Sequence, residues 1–61
     1  MKLKKVVQEI RAFGYSQKRI SDETGIPQGT VSRVETGKHK DPRYSTAVKL
    51  IELLTELKET A

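Results

Sequence analysis

Apolar side chains recur near the start of the chain at Leu3, Val6, Val7 and Ile10, the i, i+3, i+4, i+7 spacing that gathers them on one helical face. Phe13 falls at the edge of that face and Gly14 stands where a C-terminal cap belongs, so a first helix is expected over about residues 2–13. Ser16 is placed to accept a backbone N–H at the start of a second, short helix over about 17–24, whose only strong apolar residue is Ile20 and which Gly25 would end. A third helix begins at or just after Pro27, which is tolerated in a first turn because its missing N–H would be unpaired there anyway. It runs to Thr36 before Gly37, with Val31 and Val34 as its apolar positions.

The stretch from Lys38 to Arg43 is polar and aperiodic, and Pro42 disfavours helix at Asp41, so it reads as an exposed loop. From Tyr44 or Ser45 to about Thr60 the helical pattern returns. Ala47, Leu50, Ile51, Leu54 and Leu57 form its expected inward stripe, with Lys49, Glu52, Glu56 and Glu59 opposite. No segment has the period-2 alternation of a strand. The expected fold class is all-α: one compact four-helix domain over residues 1–61, containing a helix-turn-helix at about 17–36 and ending in a longer C-terminal helix.

Composition narrows the functions open to such a domain. Sixty-one residues at 34% hydrophobic support one thin core and no second domain. With no Cys and one His, disulfide frameworks, iron–sulfur clusters, structural zinc and Cys nucleophiles are excluded by ligand count, and His39 reads as a loop residue. Apolar runs never exceed two residues, as at Val6–Val7 and Leu53–Leu54, so neither a membrane span nor a signal-peptide core is expected. Asp22 and Glu23 are adjacent and splay apart on a helix, while Glu52 and Glu56 lie on the solvent stripe. Neither pair converges on a substrate, and no enzyme activity, cofactor, metal or small-molecule substrate is expected.

Charge then points to a partner. The net charge is +4, and it is unevenly placed: residues 1–43 hold ten basic and five acidic side chains, and residues 44–61 hold two and three. A polyanion is the natural partner of the first two-thirds of the chain. The pair of short helices joined by a Gly-containing turn suits the same partner, because a reading helix must bury one narrow stripe and leave its outer face free to enter a groove about 12 Å wide. With Val31 and Val34 inward, Gly29, Ser32, Arg33 and Thr36 point outward and Gln28 sits at the leading edge. Arg can donate two hydrogen bonds to guanine and Gln can pair with adenine, while Ser serves several base edges. Ser21 is small enough to let helices 2 and 3 approach closely.

The run from Tyr15 to Lys38 resembles the helix-turn-helix of the phage Cro and repressor (xenobiotic-response-element) family, as does Pro42-Arg43-Tyr44 after the reading helix. Ser16-Gln17, Thr24-Gly25-Ile26, Val31-Ser32-Arg33 and Glu35-x-Gly37-Lys38 all fall at that family's spacings, and the resemblance spans about residues 3 to 54. It implies that Gln17 holds a phosphate and braces the first reading side chain, that Gln28 and Arg33 contact bases, and that Thr30 lies near the backbone or a thymine methyl, with Ser32 beside them. It also implies that Lys38, Lys40 and Tyr44 approach phosphates, while Arg43 reaches towards the minor groove. Such relatives often carry an Arg at the place of Ile10, paired with the Glu at the place of Glu35. Arg11 stands one position late, so that buried pair is not expected here, and Glu35 reads as a helix-end structural acceptor. Gly29 also puts no side chain where a reader is common.

The function expected from the residues and the resemblance is a sequence-specific, double-stranded DNA-binding transcriptional regulator of Cro-repressor type. It would work in the cytoplasm of a bacterium or phage-infected host, on a palindromic operator. The alternative is an antitoxin or other protein-interaction module in which DNA binding is secondary. Specificity asks for two subunits, and since Leu53 and Leu57 lie at or beyond the edge of the helix 4 stripe, they are the expected contacts of a weak homodimer completed on DNA. On the competing reading Leu57 covers the end of helix 1 and Leu53 is an isolated exposed leucine.

Overall fold

A computed structural model describes residues 2–38 and 43–60. Four helices follow in order, α1 (Leu3–Ala12), α2 (Gln17–Thr24), α3 (Gln28–Thr36) and α4 (Tyr44–Thr60). All the described secondary structure is helical, as the all-α expectation requires. The expected bounds hold to within a residue at each end.

Local chemistry sets the boundaries. The Ser16 hydroxyl accepts the Arg19 N–H at 3.0 Å, satisfying one of the unpaired donors at the start of α2. That helix ends at Gly25, whose φ of +75° is a left-handed conformation that costs a residue with a Cβ but not glycine. The Thr24 hydroxyl donates to the Ile20 carbonyl at 2.6 Å and accepts the Ile26 N–H at 3.3 Å, so one side chain closes α2 and starts the turn. Pro27 then precedes α3, its carbonyl accepting Thr30 N–H and Val31 N–H at 2.9 and 3.1 Å.

Helix α1 packs against both α3 and α4, and α2 packs against α3 and, more lightly, α4. The core they enclose is Val6, Val7 and Ile10 of α1, Ile20 of α2, Val31 and Val34 of α3, and Leu50, Leu53 and Leu54 of α4. Ile26 of the turn completes it, with Leu3, Tyr15 and Leu57 packed around its margin. The stripes expected for α1, α2 and α3 are the buried faces observed.

The α4 stripe requires correction. Ile51, expected inward, is 38% exposed, and Leu53, expected at the surface as a dimer contact, is buried in the core at 7%. Helix α4 has two neighbours on different sides, so its buried arc turns from α1 towards α2, where Leu53 lines the same groove as Glu23 and Thr24. Leu57 is partly buried against the core, which matches the reading in which it covers neighbouring helix. Its side chain also lies one residue from Lys58, whose Nζ reaches Glu9 Oε1 of α1 at 3.6 Å.

Candidate nucleic-acid interface

Helix α3 presents a bare face. Val31 and Val34 are buried, while Gln28, Gly29, Arg33 and Thr36 are exposed and Thr30 and Ser32 are partly buried. A Cβ at Gly29 would meet nothing within 4 Å, so the backbone there lies open to close approach. The Thr36 hydroxyl donates back to the Ser32 and Arg33 carbonyls at 3.0 and 3.3 Å, an internal bond that stops it projecting freely from the helix. Gln28 and Arg33 stand free on the surface with Ser32 between them, the arrangement the sequence suggested.

The base of this face is held by a three-helix junction. Glu35 Oε1 accepts from Gln17 Nε2 of α2 at 2.7 Å and from Arg11 Nη1 of α1 at 2.8 Å. Arg11 thus pairs with Glu35, but at a partly exposed contact and not as a buried pair. One step along a helix turns a side chain by about 100°, but the long, flexible Arg stem recovers that offset at the half-exposed rim of the contact. Glu35 is the structural acceptor foreseen for it, and its partners are now known. Gln17 donates to Glu35, which ties the start of α2 to the end of the reading helix.

Glu35→Ala removes both bonds at once. Because the Arg11 and Glu35 side chains keep 39% and 21% of their surface in solvent, the ion pair is screened and the expected cost is about 1 kcal/mol. Chemical denaturation should show that loss with an unchanged slope, and binding to any duplex should weaken as Gln17 loses its fixed position.

Of the residues expected to reach phosphates, Gln17 is partly buried at the start of α2, and Lys38 is exposed just beyond α3, its N–H bonded to the Arg33 carbonyl at 2.9 Å. Arg43 and Tyr44 are exposed at the start of α4, Tyr44 by 85%. Lys40 and His39 lie outside the described residues.

A cluster on α2 was not foreseen. The Arg19 guanidinium lies 4.0 Å from the centre of the Tyr15 ring, and its Nε reaches Glu23 Oε2 at 3.2 Å. Part of the signal was present in the sequence, since Glu23 stands four residues from Arg19 on the same face of α2, whereas Tyr15 precedes the Ser16 cap and meets Arg19 from outside the helix. The acidic residues dismissed as non-convergent also meet differently than expected: Glu23 of α2 joins Glu52 and Glu56 of α4, with Lys49, around a groove of about 150 Å³. That juxtaposition depends on how α2 crosses α4, which no spacing reveals.

No described helix is long and apolar enough to cross a membrane. A family model described as helix-turn-helix matches residues 7–56. The chain is 50% identical over 52 residues to a protein designated P2 from Acyrthosiphon pisum secondary endosymbiont phage 1, an alignment covering 85% of this chain and 55% of the phage protein. The chain thus spans about half the length of that curated relative. No solved structure gives a significant match. The capped α2, the glycine turn and the bare outer face of α3, with this match over most of the chain, place it plainly: the protein belongs to the Cro/C1-type helix-turn-helix family, a family of DNA-binding proteins.

Proposed function

We propose that the chain is a sequence-specific, double-stranded DNA-binding regulator of Cro-repressor type, working from a phage or prophage by occupying an operator. The observation that carries this reading is the division of α3 into a buried Val31–Val34 stripe and an opposite face on which Gln28, Gly29 and Arg33 are all exposed. Gln28 and Arg33 discriminate bases, with Ser32 and Thr30 beside them. Gln17, Lys38, Lys40, Arg43 and Tyr44 position the helix through phosphates and supply affinity that falls with salt.

A single reading helix covers few base pairs, so operator recognition takes two subunits on half-sites about 34 Å apart. Leu53 has no free surface for that contact. The apolar positions that α4 leaves exposed are Tyr44 and Ile51, seven residues apart and therefore on one face, and Ile51 replaces Leu53 as the residue to test in a weak homodimer.

Selection of bound sites from a random duplex pool tests specificity directly. A salt titration on the selected site should give log K against log[salt] a slope near −3 to −4 per subunit, from about four neutralised phosphates. A flat salt response, or a pool that yields no consensus, would sink the proposal.

A further inference from the structure

We propose that Lys4, outside the helix-turn-helix, is a DNA-backbone contact that works with Lys38 at the far end of the reading helix. The proposal rests on the DNA-binding reading above and extends it to α1. A Cβ built on Gly37 would lie 3.4 Å from Lys4 Cδ and 3.9 Å from Lys4 Nζ, so the lysine stem crosses directly over this glycine. Gly37 is the left-handed cap of α3, with φ +78°, and the next residue is Lys38, held by its N–H to the Arg33 carbonyl. Lys4 Nζ and the Lys38 backbone therefore share the C-terminal end of α3. Among the described residues Lys4 makes no ion pair or side-chain hydrogen bond, and it is exposed.

The other end of α1 shows what this position offers. Arg11 meets Glu35 beside Gln17, while Lys4 lies beside Lys38, and Gln17 and Lys38 are both expected at phosphates. Seven residues of helix separate Lys4 from Arg11, about 10 Å along the axis. Helix α1 thus meets the C-terminal end of α3 at two points, with Arg11 paired to Glu35 and Lys4, over Gly37, left without an ion pair among the described residues. The ligand is the phosphodiester backbone, which a lysine contacts as a point charge without reading sequence.

A merely structural role is the competing explanation, because a cation over the last turn of a helix also favours its dipole. Duplex binding over a range of salt, measured by fluorescence anisotropy on the selected site and on random DNA, separates the two when thermal melting of the free protein is followed alongside. Lys4→Ala should weaken both duplexes alike, roughly three- to tenfold at low salt, and make the salt slope shallower by about 1, with an unchanged melting midpoint. Lys4→Arg should restore the slope. Lys49→Ala, which removes the same charge from the groove between α2 and α4, should leave binding as it is. An unchanged slope in Lys4→Ala, or a loss of affinity that tracks a lowered melting midpoint, overturns the proposal. If the wild-type protein itself shows no salt-dependent duplex binding, the DNA-binding reading falls and takes this extension with it.

Discussion

Leu53→Glu is expected to unfold the protein. Leu53 is 7% exposed and packs with Leu50 and Leu54 in a core of ten buried residues among those described, so truncation alone should cost about 2–5 kcal/mol. A carboxylate adds the cost of burying charge, and it would enter a groove already lined by Glu23, Glu52 and Glu56, with Lys49 as its one cation among the described residues. A domain of this length has only about 3–9 kcal/mol of stability to lose. Circular dichroism should therefore show little cooperative transition at 25 °C for Leu53→Glu. Leu53→Met, which conserves volume, should cost under about 1.5 kcal/mol. Ile51→Glu, on the solvent side of the same helix, should change stability by less than about 1 kcal/mol. A Leu53→Glu protein that melts like wild type would restore Leu53 to the surface and to the homodimer first expected of it.

Arg33→Ala should cost about 1–3 kcal/mol on the selected operator, a loss of roughly 5- to 150-fold, and much less on random DNA. The side chain is exposed and takes part in none of the ion pairs among the described residues, so its removal should leave the melting midpoint where it was. Any loss of affinity then reports the contact with DNA and not damage to the fold. Site selection repeated with the variant should show relaxed preference at one base pair in each half-site. Equal losses on specific and random duplexes would reassign Arg33 to the phosphates and leave Gln28 as the main reader.

Much of this molecule follows from local chemistry. Ser16, Gly25 and Gly37 mark helix ends because caps and left-handed turns are decided by one or two residues and their immediate backbone. The inward stripes of α1 and α3 were likewise legible. Val31 and Val34 are the only large apolar side chains α3 possesses, so just one orientation buries them, and the exposure of Gln28 and Arg33 follows from it. The net positive charge of residues 1–43 and the family spacings make DNA the expected partner of that face without any tertiary information.

What the tertiary structure alone decided lies where two helices meet at an angle. Periodicity placed Ile51 and Leu53 on opposite sides of a boundary, but α4 offers more apolar residues than one narrow contact requires, and the neighbouring α2 determines which of them is covered. Ile26 enters the core from the turn, where no helical period applies. Arg11 reaches Glu35 across 24 residues of sequence, and Lys4 comes to rest over Gly37, because α1 crosses the end of α3. Sequence spacing fixes angles around a single helix axis, through a constant turn per residue. The crossing of one axis over another is set by how whole side-chain surfaces interlock, so it belongs to the assembled fold and to no segment by itself.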